Sequence, residues 1–304
     1  MTCLIHHWDA DGIASAAIVA ERLEKEGRSW KNLSPEIGEF KLPLSRVESR
    51  EIYVVDLNIP EEISAVAKEF ERVYFFDHHL QDKIANSNVV HVNPNLENLN
   101  YPSTSWVVSD HFDAWSHLSA LGAVGDLGER AFKIPRVLEL LELSEEQTIE
   151  LVRLIDSNYI AMDIDGVEEA VGLLLKNSPE ELLEHRRWRK NLERVEREVE
   201  RIIPLWNGEE IFFSSSMNVI SIVAKRIAWK EGRNVLAVNS NFNGRAQVYL
   251  RIAEPKPDVR GLISLLKQSS FNVGGKPEVL GIVCEKKELE RVLEIIWRFL
   301  GRYK

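Results

Sequence analysis

The sequence predicts an α/β protein in three parts. An N-terminal domain over residues 1–178 holds a parallel sheet with helices on both faces, a long linker helix covers 179–206, and a smaller C-terminal α/β domain covers 207–304. Three observations predict it. Short apolar runs alternate with amphipathic helical patterns in the first half, the arrangement of consecutive βαβ units. A long helical periodicity follows Pro179. The formal charge also changes sign along the chain: residues 1–180 hold 15 Lys+Arg against 32 Asp+Glu, a balance of −17, and the remainder holds 23 against 16, a balance of +7. The net −10 therefore hides an acidic half suited to divalent cations and a basic half suited to phosphates.

Composition bounds the rest. A length of 304 residues agrees with two domains, and 44% hydrophobic with 28% charged residues excludes wholesale disorder. No apolar run reaches the ~18 residues of a membrane span, and the start shows no signal-peptide pattern, so a cytoplasmic protein with no membrane partner is expected. The two cysteines, Cys3 and Cys284, offer neither a disulfide framework nor a thiolate metal cluster. Scarce Gln, with plentiful Glu, Lys and Arg, leans towards a heat-adapted source.

Taken in order, Thr2 to His6 is an apolar strand, and Gly12 to Lys25 a helix whose stripe is Ile13, Ala16, Ala17, Val19, Ala20 and Leu23. Ile52 to Val55 is a second strand, and Glu61 to Glu71 a helix opening after Pro60. Val73 to Phe76 and Val89 to Val92 are further strands, and Ser105 to about Lys176 is mostly helical. The linker helix runs from Pro179 to about Ile203, with Trp188, Leu192, Val195, Val199 and Ile202 as an apolar seam. Strands at Glu210 to Ser214, Val235 to Val238 and Ala246 to Ile252, with helices at Val219 to Lys230 and Lys287 to Leu300, complete the chain.

Acidic and imidazole groups follow those strands directly. The first ends in His7-Trp8-Asp9-Ala10-Asp11-Gly12, the second in Asp56 and the third in Asp77-His78-His79. The small-residue segment Gly122-Ala123-Val124-Gly125-Asp126 adds another carboxylate. In parallel sheets, working residues sit beyond the carboxyl ends of the strands, so these clusters converge if the strands are adjacent. Crowded carboxylates repel unless cations neutralise them, and several Asp with one or two His suit two octahedral cations, with imidazole favouring Mn²⁺ over Mg²⁺. Two such ions are a device for phosphoester hydrolysis. Any one piece has a plainer reading: Asp-x-Asp-Gly as a helix cap, His-His as incidental, Asp after a strand as a loop residue.

Together these segments resemble the first four motifs of the DHH phosphoesterases, in order, over about 130 residues. The resemblance implies Asp9 and Asp56 on one Mn²⁺, with His7 an extra ligand, and Asp11, Asp56, His78 and Asp126 on the other. It implies His79 near the scissile phosphate and Asp56 bridging the ions. The C-terminal block resembles the shorter of that family's accessory domains, in which a glycine pair cradles a substrate phosphate. Here the segment is Asn272-Val273-Gly274-Gly275-Lys276-Pro277-Glu278, with Lys276 where many relatives carry His, and Arg245 resembles that domain's phosphate-binding arginine. A Val at Gly275 is expected to obstruct a phosphate while sparing the fold. His91, His111, His117 and His185 lack acidic partners at ligand spacing and read as structural. Trp8, Trp106 and Trp188 could stack bases, though buried packing is the commoner role.

His-x-Asp-x-Asp-Gly resembles compact archaeal RecJ-like, helicase-associated nucleases. That implies a single-strand exonuclease of 3′→5′ polarity releasing 5′-mononucleotides in DNA repair or fork processing, with a fork-processing helicase partner and a homo-oligomeric state. The alternative is a small-substrate phosphoesterase acting on short oligoribonucleotides, adenosine bisphosphate or cyclic dinucleotides. A catalytically idle replication scaffold ranks last, because every implied ligand is present.

Overall fold

The computed structural model describes residues 1–253, 258–271 and 273–301. The chain divides into two compact units. The first is Met1–Tyr159 with Asp163–Leu192, and the second is Ile160–Met162 with Glu193–Lys304.

The first unit begins β1 (Thr2–His6), α1 (Ala10–Lys25), β2 (Trp30–Leu33), β3 (Glu51–Val55), α2 (Pro60–Val66), β4 (Arg72–Phe76) and β5 (Val89–Val92). These strands form a parallel sheet in the order β2-β1-β3-β4-β5. Alternation sends Cys3, Ile5, Ile52, Val54, Val73 and Phe75 to one face, where they pack with Leu42, Ile59 and Ile63 from α2 and its surroundings. The opposite face meets α1 and α3 (Thr104–Phe112), with Phe76 against His111 and Phe112. Then follow α4 (His117–Leu127), α5 (Pro135–Glu139), α6 (Glu145–Ile160), α7 (Ile164–Lys176), α8 (Pro179–Leu183) and α9 (Arg186–Ile202), which passes into the second unit.

Register decides where the motifs go. His6, Val55, Phe76 and Val92 are level across four neighbouring strands. His7, Asp56 and Asp77 are each the next residue, and each donates its N–H to the neighbouring strand's last carbonyl: His7 to Val55, Asp56 to Phe76, Asp77 to Val92. Three motifs therefore leave the sheet at one edge.

Two expectations are corrected. The linker is not one helix from Pro179: α8 closes at Leu183 and α9 opens at Arg186. On a continuous helix Trp188 would lie about 120–140° around the axis from Leu182 and Leu183, and the break lets all three bury. The helix after Pro60 is also shorter, ending at Val66 before a 3₁₀ turn. The polar edge strand β2 had not been anticipated, because Trp30-Lys31-Asn32-Leu33 carries too few apolar residues to register.

The second unit contains β6 (Glu210–Phe213), α10 (Ile220–Glu231), β7 (Val235–Phe242), β8 (Arg245–Arg251), α11 (Arg260–Gln268), β9 (Val273–Lys276), β10 (Val279–Cys284) and α12 (Leu289–Phe299). Its mixed sheet runs β6-β7-β8-β10-β9, antiparallel except for β6 with β7. Val248, Leu250, Leu280 and Ile282 pack on Leu262 and Leu266 of α11 and on Val292 and Ile296 of α12. No helix among the described residues is long and apolar enough to cross a membrane.

Candidate metal centre

At the carboxyl edge of the parallel sheet, His7, Asp9, Asp11, Asp56, His78, His79 and Asp126 converge. Three overlapping sets have ligand atoms all within 4.8 Å of one another: His7, Asp9 and Asp56; Asp11, His78 and Asp126; Asp56, His78 and His79. Asp56 is central. Its Oδ2 lies 3.7 Å from His7 Nδ1 and its Oδ1 lies 3.9 Å from His78 Nε2. Its backbone is left-handed, φ 61°, an unusual state for a residue other than glycine.

The donor set fits divalent cations. His7 Nδ1 stands 2.8 Å from Asp9 Oδ2, and His78 Nε2 stands 2.9 Å from Asp126 Oδ2. Neither contact has the direction of a hydrogen bond: His7 Nδ1, His78 Nε2 and Asp126 Oδ2 are buried with no hydrogen-bond partner among the described residues. Carboxylate and imidazole groups crowded to these distances without well-directed hydrogen bonds suit a shared cation between them.

Electrostatics shows the same crowding. Burial, followed by Asp11 and Asp9, holds the Asp56 carboxyl well above the usual carboxylate range. Burial and the neighbouring Asp126 raise Asp11 to about 6. Burial works against the charged form of His78, yet Asp126 and Asp11 outweigh it and raise the ring to about 9. Burial likewise opposes Asp9, but His7 outweighs it and holds Asp9 below the usual range. Close carboxylates that retain protons when no cation neutralises them are what a divalent site requires.

The surroundings fix these groups. Asp77 is fully buried, and its Oδ1 accepts N–H bonds from His78 and His79 and lies 2.7 Å from His79 Nδ1. That contact orients the His79 ring, which is 40% exposed. The N-terminus of α3 grips two of the converging carboxylates. Thr104 N–H and Ser105 N–H donate to Asp11 at 2.6 and 2.9 Å, and Thr104 Oγ1 donates to Asp56 Oδ1 at 2.8 Å. A Cβ at Gly122 would stand 2.3 Å from Asp11 Oδ1 and 2.2 Å from Ser105 Oγ, so only glycine lets α4 approach and deliver Asp126.

Residues 1–141 match the model of the DHH family, N-terminal domain. They form a DHH domain. By structure, the whole chain aligns with RecJ of Thermus thermophilus in complex with Mn²⁺, at TM-score 0.70 and 19% identity, over 52% of that longer chain. This chain thus spans about half the length of the Thermus protein. An exonuclease RecJ bound to manganese aligns over all of this chain and 90% of its own, at TM-score 0.64 and 17% identity. A pGpG-specific phosphodiesterase from Vibrio cholerae aligns end to end, 100% of each chain, at TM-score 0.58 and 12% identity. No curated protein matches the chain by sequence. Residues 1–141 thus carry the family's N-terminal domain, and the chain as a whole shares the fold of these RecJ structures.

Outside the DHH domain, the C-terminal candidates lie on a sheet rather than in a loop. Gly274, Gly275 and Lys276 are exposed residues of the edge strand β9, and Asn272 lies outside the described residues. Arg245 opens β8 after the Asn243-Gly244 turn. Arg245, Gln247, Tyr249 and Arg251 alternate with the core residues Ala246, Val248 and Leu250, while Gly274 pairs through Gly281 with Tyr249. Arg245 and Gly274 therefore share a face but sit four positions apart along the strands, roughly 13 Å.

Trp8 and Trp188 are buried, and Trp106 packs edge-on against Trp115. Arg187 of α9 is engaged by Asp163 and Glu169. His91 accepts the Ile84 N–H, as a structural histidine does. Sequence reasoning missed Thr104 and Asp156. The Ser103-Thr104-Ser105 run carried a readable signal, a helix cap after Pro102. Asp156 carried none. Its Oδ1 accepts the Ala10 N–H at 2.9 Å, and burial, with the charge of Asp9, raises its carboxyl to about 8.

Proposed function

We propose that the protein is a divalent-metal phosphodiesterase, a RecJ-like exonuclease that removes 5′-mononucleotides from single-stranded nucleic acid. The observation that carries this reading is Asp56, whose two oxygens face two separate ligand sets. In this assignment His7, Asp9 and Asp56 hold one ion, and Asp11, Asp56, His78 and Asp126 hold the other, with Mn²⁺ preferred to Mg²⁺. Two such ions supply the Lewis acidity that draws charge from a phosphoryl group.

The remaining steps belong to the chain's own residues. Asp77 holds the His79 imidazole so that its outer nitrogen meets the scissile phosphate. The α3 N-terminus and Thr104 keep Asp11 and Asp56 at fixed separation while substrate enters. Arg245, Gly274, Gly275 and Lys276 form the substrate-binding surface of the second unit, whose balance of charge is basic. The boundaries 1–178, 179–206 and 207–304 then mark catalytic, connecting and substrate-binding portions. Polarity of 3′→5′, a role at replication forks or in repair, an archaeal and cytoplasmic setting, a helicase partner and a homo-oligomeric state rest on the motif resemblance and belong to the same proposal.

A second reading is favoured by one observation: the Vibrio pGpG phosphodiesterase matches this chain end to end, whereas the Thermus RecJ is about twice as long. The deciding experiment is a time course on end-labelled single-stranded DNA, RNA and a dinucleotide with Mn²⁺. Stepwise shortening of long strands is expected. Dinucleotide turnover far above strand cleavage, with no salt-dependent strand binding, would overturn the exonuclease reading in favour of the small-substrate enzyme.

A further inference from the structure

Between β2 and β3 the chain crosses the carboxyl edge of the sheet, beside the metal centre. Its backbone is pinned there by ordinary means. Ile37 and Leu42 are 4% and 6% exposed, Leu42 packs into the core under β1 and β3, and its N–H donates to Glu62 Oε1 at 3.0 Å. Phe40 lies between these anchors and is treated differently. It is 47% exposed, although buried residues anchor the chain on both sides of it.

The ring is not loose on the surface. It stacks on the His7 imidazole, with centroids 5.9 Å apart and planes inclined by 20°, and it stands 5.3 Å from the buried Trp8 ring. His7 and Trp8 are themselves 4.4 Å apart. Phe40 thus caps a rigid aromatic stack whose inner member belongs to a ligand set. An apolar ring held half in water beside a polyanionic centre is costly as packing, and it carries neither a metal-ligand atom nor a hydrogen-bond donor for a phosphate. What it offers is a flat π-face within one nucleotide of the metals.

We propose that Phe40 is the platform on which the nucleobase adjoining the scissile phosphate stacks. The proposal rests on the phosphodiesterase reading and adds a residue that reads the substrate as a nucleotide rather than as a bare phosphoester. Every base has a π-face, so the platform is tolerant of sequence. It also gives the centre a way to register the strand end, by fixing the base and letting the attached phosphate settle between the ligands.

The test compares cleavage of a labelled single strand with that of the same strand carrying an abasic terminal or penultimate nucleotide, for the parent, Phe40→Ala and Phe40→Trp. The parent is expected to cleave one of the abasic strands roughly tenfold more slowly than the normal strand. Phe40→Ala should lose about the same factor on the normal strand and nothing further on that abasic one, with Mn²⁺ affinity unchanged. Phe40→Trp should restore the rate on the normal strand. Equal slowing by Phe40→Ala on normal and abasic strands would make the ring a mere support for His7 and overturn the proposal, as would no effect on either. Failure of the parent to cleave any strand or dinucleotide would instead overturn the phosphodiesterase reading, and Phe40's role with it.

Discussion

The two candidate surfaces are built on opposite principles. In the first unit the carboxylates are buried and the groups prearranged: Asp11 is held by two backbone N–H groups, Asp56 by Thr104 and the half-exposed His79 by Asp77. In the second unit, Gly274, Gly275 and Lys276 lie exposed on an edge strand. A buried ensemble of carboxylates is useful only in one geometry, because each group carries a desolvation cost that its neighbours or a cation must offset. A solvent-facing strand has no such cost and can accept whatever backbone of phosphates arrives. Chemistry should therefore be sensitive to single atoms in the first unit, and affinity should be graded in the second.

The sharpest way to break that contrast is Asp56→Asn. The side chain keeps its shape and its bond from Thr104, yet loses the charge shared by both ligand sets. A fall in Mn²⁺-dependent hydrolysis of more than about a hundredfold is expected, with weaker Mn²⁺ binding by calorimetry. Near-parental rate would show that the first unit is not so finely set.

His79→Ala comes next. Its Nδ1 is held 2.7 Å from Asp77 and stands farther, 4.0 Å, from Asp56 Oδ1, so turnover should drop by roughly 10²–10⁴ while metal content holds. Loss of bound Mn²⁺ in the purified variant would move His79 into the ligand set with Asp56 and His78.

The third test sets two glycines of the second unit against each other. A Cβ at Gly275 would stand 2.0 Å from the Val279 carbonyl oxygen, while one at Gly274 meets nothing within 4 Å. The sequence-based expectation that Gly275→Val spares the fold is therefore corrected: it should break the β9–β10 pairing and lower the melting temperature by roughly 5 °C or more. Gly274→Val should melt like the parent and weaken strand binding alone. Calorimetry and a binding titration on both variants decide it.

The smallest effect is one of pH. Without metal, the folded state keeps protons that the unfolded chain releases: Asp11 up to about 6, Asp156 to about 8 and His78 to about 9, against ordinary values of 3.8 for Asp and 6.5 for His. The stability tied to those protons is full below the ordinary values and is lost as pH rises through the folded ones. Above pH 7, where the histidines lowered by burial no longer titrate, the metal-free protein should thus melt a few degrees lower at pH 9 than at pH 7 by circular dichroism. Mn²⁺ should reverse the trend, because deprotonated ligands bind it better. A melting temperature that rises with pH over that range in chelator would contradict the buried crowding.

The parallel sheet was legible because β1, β3, β4 and β5 are continuous apolar runs, and the acidic motifs directly after them were legible because chain position and sheet edge coincide. What sequence could not show was mostly the layer of contacts behind the ligands. Asp156 is one acid among many on a helix, and nothing local marks its bond to Ala10. Phe40 looks like a core aromatic until its exposure is seen. β9 and β10 were hidden by their glycines, which read as turn formers although here they pair in register. The break between α8 and α9 depends on where Trp188 finds its pocket, which is tertiary information.

The left-handed backbone at Asp56 carries a consequence of another kind. A φ near 61° costs most side chains roughly 1–2 kcal/mol, and Asp, Asn and Gly are the residues that go there readily. The fold and the charge at this position are thus separable in inheritance. A single-base change in an Asp codon gives Asn or Gly, which would silence the centre while leaving the sheet, the strand ends and the second unit undisturbed. On the proposed reading, this chain could lose hydrolysis in one step and persist as a stable body.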